Sequence, residues 1–217
     1  MKDYPQIWIH GKVRKPSRKT RVGYRGHHIS QKTETRQTSE SLNEHFLNPH
    51  LDFSPDIKFY ASHPVTFGYT DSAGKSRLYT PDKAAITMSN KVVFIEVKPR
   101  EIWLLIDWQK KFRYLRAILR SIGSELIVML DEDIKREPRL KNLQLLNAYA
   151  RLRVRDNEIF RAVSLLTPEK CHNLMTFAAS ITSNQAPYAL VYFLLFHHIV
   201  KCDLEKEIND ETLILPA

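Results

Sequence analysis

The 217-residue sequence is poor in cysteine and glycine and has no long hydrophobic run. Its two cysteines, Cys171 and Cys202, are too few for a disulfide framework and lack the paired spacing of a zinc site. We therefore expect a reducing compartment. With only 6 glycines and 43% hydrophobic residues, the chain is neither collagen-like nor wholly disordered.

Membrane and secretory signals are also missing from the sequence. The most apolar stretch, residues 186–200, contains Pro187 and two histidines and is shorter than the roughly 20 residues of a membrane span. The charged N-terminus has no apolar signal core. We expect a soluble, cytoplasmic protein without a membrane partner.

Positive charge is concentrated at one end of the chain. The formal net charge is +9, yet residues 1–38 hold ten basic side chains and two acids, which leaves the other 179 residues close to neutral. We predict a basic, extended N-terminal arm over 1–38 that binds a polyanion, although a solvating or partner-docking arm is an alternative. The candidates for phosphate contact are Arg14, Lys15, Arg18, Lys19, Arg21 and Arg25.

Residues 39–154 predict a mixed α/β domain. A short helix begins near Ser39, and Pro49 ends or kinks it. Predicted strands cover 57–61, 65–69, 77–88 and 91–98. The pattern then indicates a helix over 101–122 that ends at Gly123, a buried parallel strand over 125–130 and a helix after Pro138.

Residues 155–217 predict a small, mainly helical C-terminal domain. Helical patterns cover 157–165, 167–182 and 185–198. The pattern fits a winged helix or a plain helical bundle.

The predicted hairpin brings chemically active side chains together. Because side chains alternate along a strand, Glu96 and Lys98 share one face while Val97 points to the core. A turn at Ser89-Asn90 can bring Asp82 close to Glu96, although the uneven arms require a bend or bulge. Two carboxylates and a lysine at one end of a sheet can hold a hard divalent cation beside a positive charge, which suits phosphodiester hydrolysis.

A third acid on the preceding helix would complete a metal shell, and Glu40 and Glu44 project from the same helix face. Glu44 has a structural alternative, because Ser41-x-x-Glu44 is a capping box. Similarly, Asp82 can be a turn acid, and Glu96 with Lys98 can be an ordinary surface ion pair.

Other polar residues favour ordinary interpretations. Lys110 and Lys111 on the long helix can face a DNA backbone, but a solvated helix face explains them equally well. The adjacent pairs His27-His28 and His197-His198 point in different directions, so we interpret them as packing or surface residues rather than metal ligands.

Five segments, in this order and spacing, resemble the TnsA-type endonuclease subunits of heteromeric, TnsABC-like transposition systems. The segments are Glu40-Ser41-Leu42-Asn43-Glu44, Phe53-Ser54-Pro55-Asp56-Ile57, His63-Pro64, Tyr79-Thr80-Pro81-Asp82 and Glu96-Val97-Lys98-Pro99. The resemblance covers residues 14 to about 150 and is weak beyond them. It implies a restriction-endonuclease-like core of the PD-(D/E)xK class.

The resemblance also implies a site and an activity. Glu44, Asp82, Glu96 and the Val97 carbonyl would bind Mg²⁺, with Mn²⁺ able to substitute, and Lys98 would be the catalytic lysine. Such proteins nick the non-transferred strand at the 5′ ends of a transposon while a TnsB-type DDE transposase acts on the 3′ ends. A TnsC-type AAA+ regulator and double-stranded DNA would contact the C-terminal domain. The expected location is the bacterial cytoplasm, with nucleoid association during activity.

The sequence departs from the pattern of that family at three positions. His63 replaces the usual glutamine before Pro64, Lys83 replaces an apolar residue, and Pro49 interrupts a longer helix. We keep two alternatives to the transposon nuclease. One is a PD-(D/E)xK nuclease of restriction or repair, and the other is a catalytically silent DNA-binding adaptor of a transposase.

Overall fold

The computed structural model describes residues 7–9, 24–71, 73–166, 172–181 and 186–217. The chain forms two compact units, Met1–Ile134 and Lys135–Ala217. This division comes earlier in the chain than the predicted boundary between residues 154 and 155. The reason is that the helix following Pro138 packs against another helix of the C-terminal unit.

The first unit contains nine strands and four helices among the described residues. They are β1 (Ile7–Ile9), β2 (Gly26–Ile29), β3 (Arg36–Ser39), α1 (Leu42–Phe53), β4 (Ile57–Ser62), β5 (Phe67–Thr70), β6 (Ser76–Tyr79), β7 (Lys83–Thr87), β8 (Val92–Lys98), α2 (Arg100–Trp103), α3 (Ile106–Ser121), β9 (Glu125–Leu130) and α4 (Asp131–Ile134). The central sheet has the order β4-β7-β8-β9.

One edge of the central sheet has the predicted parallel crossover. Strand β9 pairs in parallel with β8, with Glu96 opposite Val128. Helix α3 connects the two strands, and Gly123 follows it with φ of 76°, a conformation that glycine adopts without strain. The mixed α/β class is therefore confirmed.

Strand β8 is covered on both faces. Val93, Ile95 and Val97 pack with Leu47 and other residues of α1, β4, β7 and α4. Phe94 packs on the other face with side chains of α3, β5 and β6. Because side chains alternate along the strand, Glu96 and Lys98 lie on the Phe94 face, as predicted.

The predicted strand over 77–88 is two strands. β6 pairs with β5 in a separate sheet of order β1-β5-β6, whereas β7 enters the central sheet. Pro81 lies between them, and proline has no N–H to donate to a strand ladder. This correction places Asp82 immediately before β7.

Both predicted helices of the first unit also differ from the structure. The segment 101–122 is divided into α2 and α3, because Leu105 has an extended backbone with ψ of 123°. Helix α1 continues through Pro49 to Phe53 and does not end at the proline.

The predicted extended arm is corrected where the structure describes it. β2 and β3 form an antiparallel hairpin within residues 26–39, and β1 pairs with β5. The hairpin is attached to α1 by polar contacts, since His28 Nε2 lies 2.5 Å from Asp52 Oδ2 and Ser30 Oγ donates to Asp52 Oδ1 at 2.9 Å. The buried Asp52 carboxylate thus attaches the β2-β3 hairpin to α1, although the charge pattern of the sequence had indicated a solvated arm.

The C-terminal unit is mainly helical, and a winged helix there is not confirmed. Its elements are α5 (Arg139–Tyr149), α6 (Asp156–Ser164), β10 (His172–Asn173), α7 (Leu174–Ser180), α8 (Pro187–Phe196), β11 (Val200–Lys201) and β12 (Leu213–Pro216). The short strands form a sheet of order β10-β12-β11. None of the helices in the described ranges has the length and apolar character needed to cross a membrane.

Candidate metal centre

The candidate site lies where β7 begins and β8 ends. Lys83 pairs with Ile95 across the two antiparallel strands, so the preceding Asp82 lies beside Glu96 and Val97. The Val97 N–H donates to Asp82 Oδ2 at 2.8 Å. The structure thus brings together Asp82 and the Glu96-Val97-Lys98 segment that the sequence predicted to converge.

Glu96 is held between a tyrosine and a lysine. The Tyr79 hydroxyl donates to Glu96 Oε2 at 2.8 Å, and Lys98 Nζ donates to Glu96 Oε1 at 2.6 Å. Lys98 Nζ also donates to the Val97 carbonyl at 3.1 Å. Burial and the Glu96 carboxylate raise the pKa of Tyr79, so its hydroxyl remains a donor at neutral pH. These contacts fix the direction of the Glu96 carboxylate.

Glu44 fulfils the capping interpretation and also faces the site. Ser41 Oγ accepts from the Glu44 N–H at 3.2 Å and donates to Glu44 Oε1 at 3.0 Å, and the Glu40 N–H donates to Glu44 Oε2 at 3.0 Å. Glu44 is only 6% exposed. Glu40 contributes its backbone to the capping box, so Glu44 is the acid that α1 directs inward.

His63 is a site residue that the sequence did not single out as a ligand. One ligand atom each from Glu44, His63 and Asp82 lie within 4.8 Å of one another. The His63 backbone has φ of 46°, and its N–H donates to the Asp82 carbonyl at 3.0 Å. A left-handed conformation costs a non-glycine residue about 1–2 kcal/mol, and such residues cluster at functional sites.

The site has an excess of carboxylate. Burial, followed by the neighbouring Glu96 and Glu44 carboxylates, raises the pKa of Asp82 to about 7. Lys98 and the Val97 N–H act in the opposite direction. Carboxylate and carbonyl oxygens are the ligands that hard divalent cations prefer, and a cation would relieve this repulsion. The residues present therefore fit a Mg²⁺ or Mn²⁺ ion.

The segment that contains Asp82, Glu96 and Lys98 matches a protein-family model described as TnsA-like endonuclease N terminal, over residues 54–131. Residues 54–131 are thus similar to a TnsA-like endonuclease domain. This domain spans β4 to β9, which includes the whole central sheet. The family recognition from the sequence is confirmed, and a nuclease of a DNA-processing transposition system is the coarse function that it supports. No curated protein matches the chain.

Lys83, inside the TnsA-like domain, is fully buried. Its Nζ donates to Ser62 Oγ at 2.7 Å and to Asn48 Oδ1 at 2.8 Å. Burial lowers the pKa of Lys83 to about 8, against the raising effect of carboxylates that include Glu44 and Asp82. The ammonium group therefore connects β7 to β4 and to α1, which carries Glu44. The sequence offered one signal for this role, namely that Lys83 departs from the apolar residue that the resemblance implies at this position.

The predicted DNA contacts are only partly described. Arg14, Lys15, Arg18, Lys19 and Arg21 lie outside the described residues, and Arg25 lies just before β2.

Lys110 and Lys111 are exposed on α3 of the TnsA-like domain and border a cavity of about 420 Å³ with Tyr69, Arg77 and Tyr114. Lys111 Nζ lies 4.7 Å from the centre of the Trp108 ring. DNA contact by these residues stays a prediction.

One histidine of each pair has a described packing partner. His28 contacts Asp52, and His197 Nε2 lies 2.9 Å from the Ala150 carbonyl oxygen. Neither belongs to the group of described side chains that could together ligate a metal ion.

Proposed function

We propose that the protein is a Mg²⁺-dependent DNA endonuclease of a transposon, with Mn²⁺ able to substitute. It nicks the non-transferred strand at the 5′ ends of the element. It acts with a TnsB-type DDE transposase and a TnsC-type AAA+ regulator. The observation that carries this proposal is the convergence of Glu44, Asp82 and Glu96 beside Lys98 within and next to a TnsA-like domain.

Four groups would hold the cation: the carboxylates of Glu44, Asp82 and Glu96, and the Val97 carbonyl. A divalent ion bound there supplies Lewis acidity toward a phosphoryl oxygen and lowers the pKa of bound water. His63 Nε2 lies 3.6 Å from Glu44 Oε2, within ion-pair range when the imidazole is protonated.

Hydrogen bonds from the protein orient the carboxylates of the site. The Val97 N–H fixes Asp82, while Tyr79 fixes Glu96, so neither carboxylate must be reoriented during the reaction. The Lys98 ammonium is half-buried at the end of β8. From that position it can stabilise negative charge that develops on a phosphate and can give or accept a proton there.

The test is strand-resolved cleavage of a labelled transposon end in the presence of a TnsB-type transposase and a TnsC-type ATPase. Asp82→Asn and Lys98→Ala should each reduce nicking at the 5′ end on the order of 100-fold or more, with DNA binding retained. The matched controls are Asp107→Asn and Lys91→Ala, which alter exposed residues of the same types in the same unit.

The outcomes separate the proposal from its alternatives. Nicking that depends on Mg²⁺ and disappears only in the two site variants supports the proposal. Undiminished nicking in Asp82→Asn and Lys98→Ala would show that the site is wrong. Unchanged transposition with both variants would favour a catalytically silent adaptor, and a methyltransferase gene beside this one would favour restriction.

A further inference from the structure

One side of α3 carries three arginines that border a common cavity. Arg113, Arg116 and Arg120 line a space of about 410 Å³ together with Trp103 and Gln109. The opposite side of the helix, which includes Phe112, Leu115 and Leu119, is buried in the core. We call this space with its three arginines the arginine groove.

The positive charge of the groove has no carboxylate partner among the residues that the structure describes. Across the described parts of the chain, no ion pair includes Arg113, Arg116 or Arg120. Elsewhere in the same unit, Arg77 pairs with Asp71, and Arg100 pairs with Glu132. The three arginines of the groove therefore have no described carboxylate partner, in contrast to Arg77 and Arg100.

The central arginine is held in place. Arg116 Nε donates to the Leu126 carbonyl at 3.0 Å, and its guanidinium carbon lies 5.9 Å from the centre of the Trp103 ring. Arg113 and Arg120 are exposed on either side of it along the helix. One anchored and two exposed guanidinium groups form a preorganised surface for an anion.

The spacing of the three arginines fits a chain of phosphates better than a single anion. Positions 113 and 120 are about 10 Å apart along a helix that rises about 1.5 Å per residue. One strand of duplex DNA places a phosphate about every 3.4 Å along its axis, so this length faces about three phosphates. The planar guanidinium group binds phosphate oxygens in a bidentate manner.

We infer that the arginine groove binds the phosphodiester backbone of duplex DNA. This inference rests on the proposed function, to which it adds a DNA-binding surface outside the metal centre. The groove is linked to the site by packed aromatic rings. Trp103 and Trp108 both pack on Phe112, and Lys98 Nζ lies 5.3 Å from the centre of the Trp108 ring.

The experiment measures the affinity of the full-length protein for a fluorescent duplex over a series of salt concentrations. The double variant Arg113→Gln/Arg120→Gln should make the negative slope of log K against log salt shallower by about 2, because each lost phosphate contact contributes about 0.9. The double variant Lys75→Gln/Lys91→Gln removes the same charge from two exposed turns and should leave the slope unchanged.

A wild-type slope in the arginine variant, or an equal decrease in the lysine control, would overturn the inference. Titration calorimetry with MgCl₂ distinguishes this failure from failure of the proposed function. If the wild-type protein binds no Mg²⁺, the proposal of a metal-dependent nuclease fails. The salt dependence of DNA affinity would still decide whether the arginine groove binds DNA.

Discussion

Replacing Glu44 with glutamine should separate its capping role from its proposed metal role. The carboxylate accepts one hydrogen bond from the Glu40 N–H and one from Ser41 Oγ. The amide of glutamine can keep one of these bonds, so the change removes about one hydrogen bond to a charged group. Loss of that bond costs more than 1 kcal/mol by itself, but removing one of the crowded carboxylates offsets part of the cost. We expect a metal-free loss of about 1 kcal/mol, or about 2–4 °C in Tm.

The effect in the presence of metal should be larger. Wild-type protein at a Mg²⁺ concentration of 100 times Kd should gain about 2.7 kcal/mol, which corresponds to about 5–11 °C. If the variant binds Mg²⁺ about 100-fold more weakly, its gain at the same concentration falls to about 0.4 kcal/mol, or about 1 °C. The assay is differential scanning calorimetry with MgCl₂ against NaCl of equal ionic strength.

The matched control is Ser41→Ala, which removes the cap but keeps the carboxylate. It should cost about 1 kcal/mol and retain the whole gain from Mg²⁺. If Glu44→Gln keeps the full gain, Glu44 is only a capping residue. If Ser41→Ala loses the gain equally, the helix cap and not the Glu44 carboxylate controls Mg²⁺ binding. Either result refutes the reasoning.

Two further predictions concern the C-terminal unit. Asn142 is buried and donates to the Leu204 and Lys206 carbonyls at 2.9 and 2.7 Å while accepting from the Ile208 N–H. Asn142→Ala should therefore cost about 2–3 kcal/mol in denaturant unfolding, whereas Gln144→Ala on the exposed side of α5 should be almost neutral. Burial and Asp203 raise the pKa of Cys202 to about 11 from its usual 9.0. The test uses a Cys171→Ser background at pH 8. Cys202 should be alkylated about 100-fold more slowly in the folded protein than in guanidinium, because the thiolate fraction falls tenfold per pKa unit. Equal alkylation rates in the two states would contradict the burial of Cys202.

Sequence patterns predicted correctly those elements that are marked by a continuous apolar run or by a clear end signal. The apolar run of β8 requires cover on both faces, and a helix ending at Gly123 before another apolar run indicates a parallel crossover. The same alternation placed Glu96 and Lys98 on one face. Pairing partners were less predictable, because Pro81 marks an interruption without showing that β6 and β7 enter different sheets.

The missed site residues depend on contacts between segments far apart in sequence. His63 reaches Glu44 and Asp82 because its backbone is held at φ of 46° beside the Asp82 carbonyl. Lys83 can be buried because Asn48 and Ser62, from two other elements, accept hydrogen bonds from its ammonium group. Neither arrangement has a local sequence pattern, so only the folded structure reveals it.

The central claim is that the Glu44, Asp82 and Glu96 carboxylates hold the cation that supports cleavage. The most direct test is anomalous diffraction from crystals soaked in Mn²⁺. The account predicts a peak within about 2.0–2.5 Å of an Asp82 carboxylate oxygen, a usual range for oxygen ligands, and loss of that peak in Asp82→Asn. A peak away from these carboxylates, or none at saturating Mn²⁺, would contradict it.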